Sequence, residues 1–268
     1  MTEEELILTA VRKCRRVDLY ADSQLLSPRQ KNQIDDIKFN RQNGTPLQYL
    51  LGSCEFMGLE FKVDARVLIP RPETEILVEA AINILKKGEG RKWMTPRILD
   101  LGTGSGNIAV SLAKFINESQ VTAVDISNPA LDLARENARL HGVHEKIKFI
   151  QSDLFVSLKN SLPNPVGFDM IISNPPYIPS AVVGRLPIDV QKEPVLALDG
   201  GVDGLDFYRR IIGESSAFLK HVGFLLLEMG DGQAEAVEQI TLKTEKFCGQ
   251  QCLKDYMGTK RIMIAEVK

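Results

Sequence analysis

Leu99-Asp100-Leu101-Gly102-Thr103-Gly104-Ser105-Gly106-Asn107 is the stretch from which the rest of the chain is best read. It ends a short apolar run, Arg97–Leu101, and leads into helical spacing over 108–115, so its three glycines occupy a strand-to-helix turn. Glycine lets the backbone turn tightly there and lets a ligand approach with no Cβ in the way. A dinucleotide fingerprint, GxGxxG, requires glycine at position 107, where this chain has Asn107; Gly106 stands one place early. The tighter GxGxG behind Asp100 suits an adenosyl ligand that lacks a pyrophosphate, with Gly102, Thr103, Gly104, Ser105 and Gly106 as its loop.

Outward from this turn, short apolar runs recur at 121–125, Ile147–Gln151, 170–173 and 224–229, with helical patterns between several of them, as at 129–141. Strands alternating with helices predict a parallel sheet covered on both faces. The last run, 261–267, follows a loop rather than a helix and is open to antiparallel insertion. In such sheets the ligand crevice lies outside the carboxyl ends of the strands. Asp125 ends the second strand, about twenty residues after the glycines, where a carboxylate accepts from ribose hydroxyls. Asp153 ends the third and is placed to accept from an adenine amino group, with Leu154 or Phe155 against the ring.

The fourth strand of this domain is followed by Asn174-Pro175-Pro176-Tyr177. Two prolines fix φ and remove two N–H donors, leaving a stiff turn rich in acceptors. An amide or exocyclic amino nitrogen is a poor nucleophile because its lone pair is delocalised. If the Asn174 side-chain oxygen and the Pro175 carbonyl hold both N–H bonds, the lone pair can be aimed at an electrophilic methyl group and the developing positive charge is stabilised. Tyr177 would stack on the planar group. The motif therefore predicts a methyltransferase using S-adenosyl-L-methionine, with Asn174, Pro175, Pro176 and Tyr177 binding the acceptor and Asn174 also bordering the cofactor.

The region before residue 45 is different: helical, charged and without glycine until Gly44. One helix is predicted over 3–17, with Leu6, Ala10, Val11 and Cys14 on one face, then breaks at Asp22 and Ser27-Pro28, and a second helix over 28–43 closed by Asn43-Gly44. Apolar pieces at 54–57 and 59–63 around Gly58 read as a β-hairpin. The prolines extend 67–72, and a helix starts at Glu73 or Thr74, with Ile76, Leu77, Ala80, Ala81 and Ile84 at helical spacing. These limits define a helical N-terminal domain over 1–45, a hairpin and linker over 46–75, and a catalytic domain over 76–268.

The 268 residues are 44% hydrophobic and 25% charged, ordinary for a globular protein. No apolar run reaches the ~18 residues of a membrane span, and the N-terminus is acidic where a signal peptide is basic, so no membrane partner and a cytoplasmic location are expected. A net charge of −2 argues against a strong electrostatic grip on nucleic acid. Cys14, Cys54, Cys248 and Cys252 are too scattered for a disulfide framework, and neither they nor the three histidines show zinc-site spacing, so no metal is expected.

The Asn-Pro-Pro-Tyr motif serves enzymes that methylate adenine in DNA as well as enzymes that methylate protein glutamine, and its physics does not separate them. DNA methylation would need base flipping and a basic groove. The flanking segments Pro46–Gly52, Glu55–Phe61 and Leu68–Glu75 resemble the peptide chain release factor N5-glutamine methyltransferases, the PrmC/HemK family. The likeness continues through Asp100–Gly106, Asp125-Ile126-Ser127, Asn174–Tyr177, Glu193-Pro194, Ala197–Gly201 and Leu227–Gly230. It implies a seven-stranded, Rossmann-like class I methyltransferase domain joined by the hairpin to a small helical N-terminal domain. It implies methylation of the Gln in the Gly-Gly-Gln loop of class I release factors, with Arg71, Glu73 and Thr74 in a linker motif beside the cofactor pocket. A monomer without a direct nucleic-acid partner is expected. Two features depart from the family pattern: Leu154 stands where an aromatic residue is common, and the helical region before Pro46 is shorter by roughly a helix.

Overall fold

The computed structural model describes residues 2–21, 25–87, 93–161 and 167–268, and the break expected at Asp22 lies outside them. At the N-terminus, α1 (Glu3–Arg12) starts on a capping box between Thr2 and Glu5 and stops at Lys13, whose φ of 51° is left-handed. A separate α2 (Arg16–Ala21) follows, so the single helix predicted over 3–17 is two. The Asp18 carboxylate accepts the Arg15 N–H at 2.9 Å and starts the new turn. The buried face is accordingly Ile7 and Val11, with Ala10 exposed. They pack on Ile34 and Ile37 of α3 (Pro28–Gln42), which Ser27 and Gln30 cap reciprocally, and on Leu47 of an unanticipated α4 (Leu47–Leu51).

Gly52, at φ 77°, ends α4 and turns the chain into the hairpin β1 (Ser53–Phe56) and β2 (Leu59–Lys62). Met57 and Gly58 both have positive φ, 54° and 70°, the signature of a two-residue turn matched to strand twist. The long helix α5 (Pro72–Lys87) begins at Pro72, one residue before the earlier of its two expected starts, because proline's fixed φ suits the first helical turn.

The remaining elements are β3 (Arg97–Leu101), α6 (Asn107–Phe115), β4 (Gln120–Asp125), α7 (Asn128–Leu140), β5 (Ile147–Gln151), α8 (Val156–Ser161), β6 (Phe168–Ser173), α9 (Ser180–Val183), α10 (Asp206–Ser215), β7 (Leu219–Glu228), α11 (Ala234–Lys243), β8 (Phe247–Lys254) and β9 (Lys260–Val267). Seven strands form one sheet in the order β5-β4-β3-β6-β7-β9-β8. All pairings are parallel except those of β9, which runs antiparallel to β7 and β8. The segment before the last run, expected as a loop, carries few strand formers in Phe247-Cys248-Gly249-Gln250-Gln251, yet it forms β8, an edge strand whose pairing breaks between Cys248 and Gln251.

Both faces of the sheet are covered, which is why every residue of β6 is buried. One core layer joins Leu77 and Ala81 of α5 to Leu112 of α6 and Ile98 and Ile172 of the sheet. The opposite layer joins Leu158, Tyr208, Ile212 and Val237 to Leu99 and Leu225. The chain steps outward from β3 through β4 to β5, then crosses back to β6 on the other side of β3, so the order reverses between β3 and β6 and a crevice opens at their carboxyl ends.

One buried amide ties the hairpin to this domain. Asn137 of α7 is fully buried; its Oδ1 accepts the Lys62 N–H at 2.8 Å, and its Nδ2 donates to the Lys62 and Ser105 carbonyls at 3.0 and 2.8 Å. Asn137→Ala leaves these partners unsatisfied in a water-poor site and should cost about 3 kcal/mol, seen as a lower urea midpoint with unchanged slope.

Candidate functional site

The carboxyl ends of β3, β4, β5 and β6 surround a cleft of about 250 Å³. Gly102 and Gly104 form its floor at φ 72° and 54°, and a Cβ on either would project into open space with no heavy atom within 4 Å. The turn is pinned from behind: the N–H groups of Gly102 and Thr103 both donate to the Val124 carbonyl, at 2.8 and 2.9 Å. These two bonds hold the glycine cradle from the protein side.

Asp125 stands at the cleft's rim with each oxygen already fixed, Oδ2 by the Gly104 N–H at 2.8 Å and Oδ1 by the Ser127 N–H at 2.9 Å. Burial pushes its carboxyl above the usual range, while these backbone donors oppose that shift. Each oxygen keeps a free acceptor direction, which is the chemistry a ribose diol requires. The helix α7 is capped by Ser127 instead, whose Oγ accepts the Ala130 N–H.

Thr103, Ser105 and Gly106 belong to the loop but not to the cleft wall. Thr103 is buried and donates to Asp100 Oδ2 at 2.6 Å; burial raises the Asp100 carboxyl to about 7. Ser105 is buried under Asn137. Gly106 lets α6 and α7 approach, since a Cβ there would lie 3.0 Å from the Ala134 Cβ.

Asp153 and Leu154 line the cleft, and Leu154 turns the chain at φ 48°. Phe155 does not: it is fully buried and stacks on Phe218 at 4.7 Å, so of the two alternatives for a ligand ring only Leu154 reaches the cleft. Leu154 takes the cleft side of the turn and Phe155 the core side. The sequence reading missed Arg210, which pairs with Asp153 at 2.8 Å, and Phe207; both come from α10 and reach the cleft from one amphipathic helix face. Arg66, Val67 and Leu68 close the cleft from the linker.

Asn174, Pro175 and Pro176 line the same cleft. Tyr177 does not line it; it packs partly buried on the α10–α11 side of the sheet, its ring beside Gly230, and its carbonyl accepts from Gln233 Nε2 at 2.9 Å. Burial raises its phenol well above the ordinary value. Behind Asn174 lies a buried chain of side chains: Asn174 Nδ2 donates to Thr74 Oγ1 at 3.0 Å, and Thr74 Oγ1 donates to Glu228 Oε2 at 2.6 Å. Arg71 pairs with the buried Glu193, whose other oxygen accepts the Ile69 N–H at 2.9 Å. Thus Arg71 and Thr74 lie behind the wall of the cleft rather than in it, and Glu73 borders a separate pocket with Glu75 and Tyr256.

Comparison with known proteins places this geometry. A profile of the family described as "Methyltransferase small domain" matches residues 75–184, and one described as "PrmC N-terminal domain" matches residues 2–52. The release factor glutamine methyltransferase of Moorella thermoacetica is 43% identical over 84% of this chain and 76% of its own length. That of Thermodesulfovibrio yellowstonii is 37% identical over 98% of this chain and 91% of its own. Among solved structures, a 16S rRNA N2 G1207 methyltransferase of Thermus thermophilus, in complex with AdoMet and guanosine, superposes with a TM-score of 0.55 at 21% identity, covering 81% of this chain and 50% of that one; the likeness is one of fold. The methyl donor of this class is S-adenosyl-L-methionine, and a glycine cradle beside a two-acceptor carboxylate fits it. By sequence identity across most of its length and by fold, the chain belongs to the release factor glutamine methyltransferases, S-adenosyl-L-methionine-dependent enzymes of the class I methyltransferase fold.

Proposed function

We propose that this protein methylates the side-chain amide nitrogen of the glutamine in the Gly-Gly-Gln motif of class I release factors, acting in the cytoplasm. The observation that carries the reading is the placement of Asn174 and Pro175 at the end of β6, on the same cleft as Gly102, Gly104 and Asp125. The groups proposed to hold donor and acceptor thus open onto one cleft, as a direct transfer requires.

S-adenosyl-L-methionine supplies an electrophilic methyl group on a sulfonium sulfur. When it binds, Gly102 and Gly104 would leave it space, Asp125 would accept from its ribose hydroxyls, and Asp153 with Leu154 would face its adenine. Asn174 Oδ1 and the Pro175 carbonyl accept the two N–H bonds of the glutamine amide. That grip holds the nitrogen's lone pair toward the methyl group. It also stabilises the positive charge that grows on nitrogen as the N–C bond forms and the S–C bond breaks. The nitrogen, now strongly acidic, gives one proton to water. Pro176 stiffens the turn by its fixed φ, and Tyr177 anchors it through Gln233.

Duplex DNA is the competing acceptor for the motif. With tritiated donor, label is expected on a release factor and none on DNA; label on DNA alone would overturn the assignment.

Asn174→Ala should lower kcat by about 100-fold or more, the loss typical of a transition-state hydrogen bond, and leave the donor's Kd within about twofold by calorimetry. Gly104→Val fills the cradle. Its donor Kd should rise at least about tenfold, while left-handed strain of roughly 1–2 kcal/mol leaves the protein folded by circular dichroism.

A further inference from the structure

Asn174 can serve as an acceptor only if its amide is the right way round. Its oxygen and its NH2 are nearly equal in size, and a 180° turn about the last side-chain bond exchanges them. An NH2 facing the acceptor would meet the glutamine's own N–H bonds donor to donor. Something in the protein must therefore decide the orientation.

We propose that Thr74 and Glu228 are positioning residues that hold Asn174 with its amide oxygen, and not its NH2, toward the acceptor; the proposal rests on the clamp role of Asn174 given above. The wiring runs in one direction. Asn174 Nδ2 donates to Thr74 Oγ1 at 3.0 Å, and the Thr74 hydroxyl spends its single proton on Glu228 Oε2 at 2.6 Å. A hydroxyl that is donating to a carboxylate has only lone pairs left, so it can receive an NH2 but cannot satisfy a second acceptor. Thr74 and Glu228 are both 1% exposed, so water cannot substitute for either partner. Three separate segments supply the chain: Thr74 comes from the first turn of α5, Glu228 from the last position of β7, and Asn174 from the end of β6.

The direction depends on the charge of Glu228. As a carboxylate it only accepts, which fixes the order just described. Protonated, it can donate to Thr74 Oγ1; the threonine proton is then free to bond Asn174 Oδ1, and the amide is stable turned over. Burial is the main cause that raises the Glu228 carboxyl, to about 7. The charged and titratable groups facing it are Glu73, which raises it further, Arg71 and Arg261, which oppose, and the phenols of Tyr177 and Tyr208. Tyr208 also donates to the Glu228 backbone carbonyl at 3.0 Å, holding the strand end in place. The productive orientation is therefore the one favoured above about pH 7, and it is lost as pH falls through that value.

The test uses the whole protein with S-adenosyl-L-methionine and a release factor, measuring kcat and KM across about two pH units either side of neutrality, and donor Kd by calorimetry. Thr74→Val keeps the shape but removes both hydrogen bonds, and should lower kcat by about 30-fold with donor Kd within about twofold. Thr74→Ser restores the hydroxyl and should recover most of that loss. Glu228→Gln removes the charge and, like the protonated acid, offers Thr74 Oγ1 a donor; its kcat should stay near the wild-type acidic-limit value at every pH, so the acidic limb is lost. The relay is overturned if Thr74→Val keeps full kcat, if Thr74→Ser is no better than Thr74→Val, or if the acidic limb persists in Glu228→Gln. Asn174→Ala separates the two readings: an active Asn174→Ala sinks the clamp itself, whereas an inactive one alongside an unaffected Thr74→Val sinks the relay alone.

Discussion

The parallel pairing of β3 with β6 is the constraint on which the rest of the site depends. It aligns Leu101 with Ser173, and the Ser173 hydroxyl donates to the Leu101 carbonyl at 2.7 Å, locking the two strand ends together. Gly102 and Asn174 are the next residues on each chain, so the donor loop and the acceptor turn leave the sheet side by side. A slip in that pairing would separate them, and no side chain elsewhere could restore the distance. The buried runs of β3 and β6 enforce the register because both faces are covered by helices.

Around this pair, buried polar groups couple the linker to the catalytic domain. Asn137 holds β2, Glu193 holds the Ile69–Arg71 segment, and Glu228 holds Thr74. Such groups are costly to bury unpaired, so each specifies one arrangement of segments that are far apart in sequence. The linker thereby becomes part of the cleft wall through Arg66, Val67 and Leu68, instead of a tether between domains. The N-terminal helices reach the same region, for Arg41 of α3 pairs with Asp189, in the segment that follows the Asn174–Tyr177 turn.

Much of this was legible in the residues. Glycine spacing, strand ends and the two prolines carry local physics, and they led directly to the loop, to Asp125 and to the turn at Asn174. What escaped was set by partners distant in sequence. Nothing within Asp206–Ser215 marks Phe207 and Arg210 as cleft residues; only the packing of α10 brings them there. The edge strand β8 gains its state from β9 rather than from its own composition. Leu154 and Phe155 stay alternatives in the sequence because composition alone does not say which of two adjacent side chains takes the cleft side. Glu228 looked like the end of an apolar strand, and its partnership with Thr74 spans 154 positions.

The central claim is that the cleft delivers a methyl group to a glutamine side chain held by Asn174. Fragmentation mass spectrometry of a release factor after reaction tests it most directly. The account predicts one added methyl group on the side-chain nitrogen of the Gly-Gly-Gln glutamine, and its absence when Asn174 is alanine. A methyl group on any other residue with that glutamine unmodified, or an unchanged yield from the alanine variant, would contradict it.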